Sequence, residues 1–67
     1  MELFVNNKPE KFVAGNKLAE LLSQLNLLDK RGIAVAVNNA VIAKADWGNY
    51  ELKENAKITI IKATQGG

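Results

Sequence analysis

One repeat of leucines at helical spacing limits the possible folds more than any other part of the sequence. The repeat consists of Leu18, Leu21, Leu22 and Leu25. Residues spaced in this way lie on one face of an amphipathic helix and are expected to be core residues. Asn16 precedes the repeat as a favourable N-cap residue, and the helix is expected to end near Asn26. Because the chain has no second long helix of this kind, a single helix must cover one face of the structure that the remaining segments form.

The remaining apolar segments predict strands, because they are short and their residues alternate between two faces. The predicted strands are residues 2–6, 9–13, 33–37, 41–43 and 57–63, and alternation puts Leu3, Val35 and Ile58 among the inward side chains. Turn-forming asparagines at 6–7 and 38–39 tolerate positive φ angles and predict hairpins. The stretch 45–50 has no clear period, so we expect a short helical turn there, with Trp47 packed against the core.

The order of these elements predicts an α+β domain. The order is ββαββ, with 41–43 as a short additional strand, which gives a mixed sheet of four to five strands with one helix across one face. The β-grasp (ubiquitin-like) arrangement fits this order. Because a crossover helix lets a later strand return in the same direction, the last strand is expected in the middle of the sheet, beside the first and parallel to it. We expect this domain to occupy residues 1–63 and a flexible tail to occupy 64–67.

The residue inventory excludes most catalytic mechanisms. The 67 residues contain no histidine and no cysteine, so the commonest metal ligand and general base are missing, together with thiolate ligands and disulfides. A domain of this size buries only about 60% of the surface that its unfolded chain exposes, which leaves little for a carved active site. Ser23, the only serine, has no histidine to activate it. We therefore expect no enzyme, no catalytic residue, no metal site and no cofactor bound by this chain.

Charge and hydropathy argue against nucleic-acid and membrane partners. Nine Lys and Arg against seven Asp and Glu give a net charge of only +2, and the basic residues are spread along the chain. The longest apolar run, 33–37, is far shorter than the roughly 20 residues that cross a bilayer, and the first residues lack a basic signal region. We expect a soluble cytoplasmic chain that is a monomer when alone.

The terminal pair Gly66-Gly67 is the sequence feature that indicates a chemical reaction. It follows the most β-prone segment after only Thr64 and Gln65, so the tail extends at most about 13 Å past Ala63. Two successive glycines can enter a narrow channel, because neither has a Cβ atom. A free α-carboxyl group is an anion at neutral pH and a poor electrophile, so adenylation would have to precede its conversion to a thiocarboxylate. The alternative is a frayed chain end without a role.

The second half of the chain contains AVNNAVIAK at 36–44, then Trp47 and Leu52, and ends with ITIIKATQGG at 58–67. In these residues it resembles the ThiS sulfur carriers of thiamine biosynthesis. The resemblance extends to the length, the element order and the Ala-Gly pair before the helix. Asn39 stands where that family commonly has glycine, and Gln65 stands where a small residue is frequent. The related molybdopterin carriers resemble the chain less.

The resemblance implies a reaction at Gly67 that partner enzymes carry out. A ThiF-type adenylyltransferase would adenylate the Gly67 carboxylate with ATP and magnesium, and a sulfur relay from a cysteine desulfurase would yield the thiocarboxylate. A thiazole synthase of the ThiG type would then take the sulfur. The alternatives are a molybdopterin-type or other ubiquitin-like sulfur carrier, or a β-grasp interaction module that carries nothing.

A docking surface is predicted beside the tail. Strand alternation puts Phe4 and Ile61 on the outer face of the sheet, and adjacent first and last strands would make them neighbours, flanked by Ala34 and Ala36. Exposed apolar residues are common and often have no function, but a patch that adjoins a functional tail favours docking. Gln65, which lies near the tail tip, belongs to the same predicted docking set.

Overall fold

The fold is a five-stranded mixed sheet with one helix packed across one face. The computed structural model describes residues 1–29 and 31–62. The elements are β1 (Glu2–Val5), β2 (Lys8–Lys11), α1 (Leu18–Gln24), β3 (Ile33–Val37), β4 (Ala40–Ile42), a 3-10 turn (Lys44–Asp46) and β5 (Lys57–Lys62). The strand order is β2-β1-β5-β3-β4, in which β1 and β5 run parallel and every other neighbouring pair is antiparallel. This confirms the predicted order, with the last strand central and parallel to the first.

The core lies between the helix and the inner face of the sheet. Strand alternation predicted the inward side chains correctly, since Leu3, Val35 and Ile58 are almost completely buried. Trp47 is also buried, as expected, and its indole N–H donates a 3.0 Å hydrogen bond to the Ile42 carbonyl. The buried apolar residues are Leu3, Phe12, Leu18, Leu21, Leu22, Val35, Val37, Trp47, Leu52, Ala56 and Ile58.

The helix begins one residue later than predicted, with Lys17 rather than Asn16 in the N-cap position. The Glu20 carboxylate accepts hydrogen bonds from the backbone N–H groups of both Asn16 (3.0 Å) and Lys17 (2.9 Å). The first helical N–H, that of Leu18, donates to the Tyr50 carbonyl at 2.8 Å. A carboxylate inside the first turn and a distant carbonyl therefore replace the side-chain cap that the sequence predicted.

Strand β2 ends two residues before its predicted end at Val13. The Gln24 amide oxygen accepts hydrogen bonds from the backbone N–H groups of Val13 (3.0 Å) and Ala14 (3.3 Å), and its amide N–H donates to the Lys11 carbonyl at 2.8 Å. These hydrogen bonds provide partners for backbone groups where the pairing of β2 with β1 ends. As a result the chain turns toward the helix and Phe12 is buried at 1% exposure.

The two hairpin turns are made entirely of asparagine. Asn6 and Asn7 have φ angles of 51° and 70°, and Asn38 and Asn39 have φ angles of 50° and 71°. Two-residue turns with positive φ at both positions match the twist of the flanking strands. Both leading asparagines also bind β5, because the Asn6 Oδ1 accepts the Ile60 N–H at 2.8 Å and the Asn38 Oδ1 accepts the Lys57 N–H at 3.0 Å.

Candidate functional site

The candidate site begins where β5 ends. This strand runs through the middle of the sheet and ends at Lys62, and five further residues, 63–67, follow it in the sequence. At roughly 3.3 Å per residue, they can reach at most about 17 Å from Lys62. The predicted working residues Gly66 and Gly67, the predicted docking residue Gln65 and the predicted tail 64–67 lie outside the described residues.

The strand that leads to this segment is paired on both sides at its start and with β3 alone at its end. On one side β3 pairs with β5 from Val37↔Ile58 to Ile33↔Lys62, which is nearly the full length of the strand. On the other side β1 covers only the first part of β5, and the Asn6 side chain continues the pairing as far as the Ile60 N–H. A ladder of this length fixes the orientation of β5 as far as Lys62.

Three of the predicted docking residues lie together on the outer face, close to the root of the tail. Ala34 lies directly opposite Ile61, and Ala36 is opposite Thr59 on the same side of the sheet. Ile61 is 56% exposed, Ala34 is exposed and Ala36 is half-buried. The structure therefore places an apolar surface on β3 and β5 beside the last described residues.

Sequence reasoning missed one member of this surface. Val41 lies opposite Ala36 on β4 and is 75% exposed, which makes it one of the two most exposed large apolar residues of the described chain. The signal was available, because a two-residue turn at Asn38 and Asn39 fixes the pairing of the strands on either side. We call Ala34, Ala36, Val41 and Ile61 the outer patch.

Phe4 does not belong to the outer patch, and the prediction that it is a neighbour of Ile61 is wrong. Phe4 lies on the same face of the sheet, but the register places it opposite Lys57. Ile61 is four residues further along β5, or about 13 Å at 3.3 Å per residue. The reason is that β1 ends at Val5, where the chain turns, so the β1 ladder stops beside the first residues of β5. Phe4 is half-buried between Pro9 and Lys57.

The helix side of the same end of the sheet holds a groove. It lies between the end of β1, the residues that follow the helix and the last residues of β5, and its volume is about 500 Å³. Its lining residues are Val5, Asn6, Leu25, Leu27, Ile60 and Lys62. The root of the tail therefore has an apolar surface on each face of the sheet.

The described residues show few groups suited to catalysis. Ser23 is exposed on the helix. Residues 1–29 and 31–62 hold no cluster of three or more His, Cys, Asp or Glu side chains that could bind a metal ion. The ion pair among them joins Lys17 and Glu51 at 4.0 Å, next to the start of the helix.

Within residues 1–29 and 31–62, no helix has the length and hydropathy needed to span a membrane.

The topology defines the class of protein. A helix packed on a mixed sheet whose central last strand runs parallel to the first is the β-grasp fold of ubiquitin-like proteins. The ThiS family model matches residues 3–67, which is nearly the whole chain and includes the terminal glycines. The chain therefore belongs to the ThiS family.

Individual relatives agree with this membership. The chain is 28% identical to the sulfur carrier protein ThiS of Escherichia coli K12 over 69 residues, covering 100% of both chains. It is 25% identical to the crystal structure of the thiamine biosynthesis protein ThiS from Geobacter metallireducens, with a TM-score of 0.83 and 100% of both chains covered. The solution structure of a thiamine biosynthesis protein from the same organism gives 25% identity and a TM-score of 0.76, covering 100% of this chain and 88% of that one.

Proposed function

We propose that this chain is a sulfur carrier of thiamine biosynthesis whose working group is the carboxyl of Gly67. The observation that carries the proposal is the family match through residue 67, together with full-length similarity to a relative named as a sulfur carrier. The position of β5 supports it, because residues 63–67 follow in sequence a central strand that has a neighbour on each side.

The proposed chemistry takes place at one carbon atom. A Gly67 carboxylate oxygen attacks the α-phosphorus of ATP, and pyrophosphate leaves. A sulfur nucleophile at the oxidation level of sulfide then attacks the acyl carbon, and AMP leaves, which produces a thiocarboxylate. Adenylation is needed because the free carboxylate is an anion that resists nucleophilic attack.

The catalytic groups belong to partner enzymes and not to this chain. A ThiF-type adenylyltransferase supplies the ATP and magnesium site, and a cysteine desulfurase is the indirect source of sulfur, whose persulfide a pair of thiols reduces to the sulfide level as they form a disulfide. A thiazole synthase of the ThiG type accepts the sulfur. The absence of histidine and cysteine from the sequence supports this division, since the chain lacks the usual general base and nucleophile. We place the reaction in the cytoplasm, with a carrier that is monomeric between encounters.

The outer patch is the proposed docking surface for the adenylating enzyme. It lies beside the root of the tail, so an enzyme that covers it can receive the tail within the reach of about 17 Å. The proposal assigns this role to Ala34, Ala36, Val41 and Ile61, with Gln65 contacting the mouth of the channel. Phe4 is left at the margin of this surface, because the register separates it from Ile61.

Intact-mass measurement tests the proposed reaction. Incubation with an adenylating enzyme of the same genome, ATP, magnesium and a sulfur source should replace one oxygen atom of the chain by sulfur. Deletion of Gly67, or addition of one residue after it, should abolish the change and leave the melting temperature unaltered, because the domain does not depend on these residues.

A matched glycine substitution provides the control. Gly66→Ala adds a Cβ to the tail and should slow the reaction strongly, whereas Gly48→Ala adds a Cβ where nothing lies within 4 Å and should leave the rate unchanged. A wild-type mass that stays constant with every candidate activator would favour a β-grasp interaction module that carries no sulfur. Product analysis with a thiazole synthase separates thiamine synthesis from a molybdopterin-type role.

A further inference from the structure

The last residues of β5 have a free backbone edge on the side of β1. Ile58 and Ile60 direct their backbone groups toward β1, since the Ile58 carbonyl accepts the Asn6 N–H at 2.8 Å and the Ile60 N–H donates to the Asn6 Oδ1. Lys57 faces β3 instead, where its N–H and carbonyl both bond to Asn38. Because backbone groups alternate along a strand, the N–H and carbonyl of Lys62 also point toward the β1 side.

No strand among the described residues occupies that side beyond Asn6. The β1–β5 ladder ends at Val5↔Ile58, and the Asn6 side chain supplies one further acceptor. The carbonyl of Ile60 and both backbone groups of Lys62 therefore face the groove on the helix side without a strand partner in the described part of the chain. A strand with unpaired backbone groups is a template for pairing with another chain.

The groove has the features needed to hold an extended peptide. Its floor is apolar, formed by Val5, Leu25, Leu27 and Ile60, and the free edge of β5 borders it. An extended segment that pairs with this edge would direct every second side chain into the groove. One site would then provide backbone hydrogen bonds for affinity and an apolar pocket for selectivity.

We propose that the enzyme that receives the tail places an extended segment of its own against residues 60–62 of β5. The segment continues the sheet beyond the end of β1 and inserts an apolar side chain between Leu27 and Ile60. This inference rests on the proposed function and adds to it a second contact surface, on the face of the sheet opposite the outer patch.

The length of the tail favours a partner enzyme as the occupant. Residues 63–67 reach at most about 17 Å, so an enzyme that acts at Gly67 must bring the wall of its channel close to Lys62. A tail folded back on β5 would need at least two residues for the turn and would carry Gly67 away from the enzyme.

Charge indicates the chemistry of the partner segment. Lys62 lines the groove and is exposed. In the described part of the chain, no acidic group lies within 4.0 Å of its ammonium group. An acidic residue beside the apolar one in the partner segment would therefore complement this end of the groove.

A proline substitution tests the backbone hydrogen bond. Lys62→Pro removes the N–H that faces the groove, and Lys62→Ala removes the same side chain but keeps the N–H. Relative to Lys62→Ala, Lys62→Pro should weaken binding of the adenylating enzyme about 3- to 10-fold, as expected for the loss of one hydrogen bond. Equal affinities of the two variants, with both melting temperatures close to wild type, would overturn the inference.

Two neighbouring leucines test the pocket. Leu27 lines the groove, whereas Leu28 is 38% exposed and does not line it. Leu27→Gln should weaken binding at least about 10-fold, because it places an amide where an apolar side chain docks, and Leu28→Gln should bind like wild type. Equal effects of the two substitutions would contradict the proposal.

Amide hydrogen exchange of the unmutated protein tests the pairing without any change to the fold. The Lys62 amide should exchange rapidly in the free carrier and at least about tenfold more slowly in the complex. Protection in the free protein that disappears on deletion of 64–67 would identify the tail as the occupant, and protection that rises with carrier concentration would identify a second copy. Either result overturns the inference.

Failure of this inference can be distinguished from failure of the proposed function. If wild-type Gly67 acquires sulfur while the variants of Lys62 and Leu27 behave like their controls, the function stands and the inference falls. A wild-type chain that no candidate enzyme modifies overturns both.

Discussion

Individual asparagines determine the local geometry at the turns of this protein. Within residues 1–29 and 31–62, six non-glycine residues have positive φ, and all six are asparagine. Asparagine tolerates this conformation at a lower cost than most residues, and its side chain can also accept a hydrogen bond. Asn38 uses both properties, because its backbone forms the turn and its Oδ1 accepts the Lys57 N–H. Within the described residues, the Asn39 side chain forms no hydrogen bond, so Asn39 uses only the first property.

Two glycine substitutions separate these properties. Asn39→Gly should leave the free energy of unfolding unchanged or raise it by a few tenths of a kcal/mol, because glycine is favoured at the second turn position. Asn38→Gly should lower it by about 1 kcal/mol, because the Lys57 N–H loses its acceptor. Urea denaturation of the two variants measures the difference, and equal midpoints would show that the Asn38 side chain contributes nothing.

At the scale of elements, the start of the helix depends on one carboxylate. Glu20 accepts two backbone N–H groups and so replaces the N-cap side chain. A Cβ built on Gly15 would collide with the Glu20 carboxyl group, so a larger residue at position 15 would displace that carboxylate. Gly15, the second residue of the Ala-Gly pair, therefore leaves the space that the capping carboxylate occupies.

Gly15→Ala should destabilise the protein by about 1–2 kcal/mol, because Glu20 must move and its two hydrogen bonds are weakened. Gly48→Ala is the matched control, since an added Cβ there meets nothing within 4 Å. Thermal unfolding followed by circular dichroism compares the two. A melting temperature of Gly15→Ala equal to that of Gly48→Ala would show that the cap tolerates displacement of Glu20.

At the scale of the molecule, two valines of equal exposure test whether docking uses one face. Val41 in the outer patch is 75% exposed, and Val13 in the loop after β2 is 76% exposed. Val41→Asp should slow adenylation at least about tenfold, because it introduces a charge into a surface that is desolvated on docking. Val13→Asp should leave the rate unchanged. Equal rates would mean that the adenylating enzyme does not cover the outer patch.

Much of this molecule could be predicted from the sequence, because its signals are local. The leucine repeat located the helix, alternation assigned Leu3, Val35 and Ile58 to the core, and paired asparagines located both hairpins. The parallel placement of β5 beside β1 followed from the crossover helix.

Features set by distant contacts could not be predicted in the same way. The register that separates Phe4 from Ile61 depends on where β1 ends, and the helix start depends on the Tyr50 carbonyl, 32 positions beyond Leu18 in the chain. The apolar groove involves residues from three separate segments. Neither local propensity nor periodicity contains this information.

The central position of β5 has a mechanical consequence. A pull on the C-terminal end acts along the strand axis, roughly at right angles to the hydrogen bonds that join β5 to β3. Such a load shears those bonds together instead of opening them one after another. The body of the protein therefore resists a load on its C-terminal end as a unit.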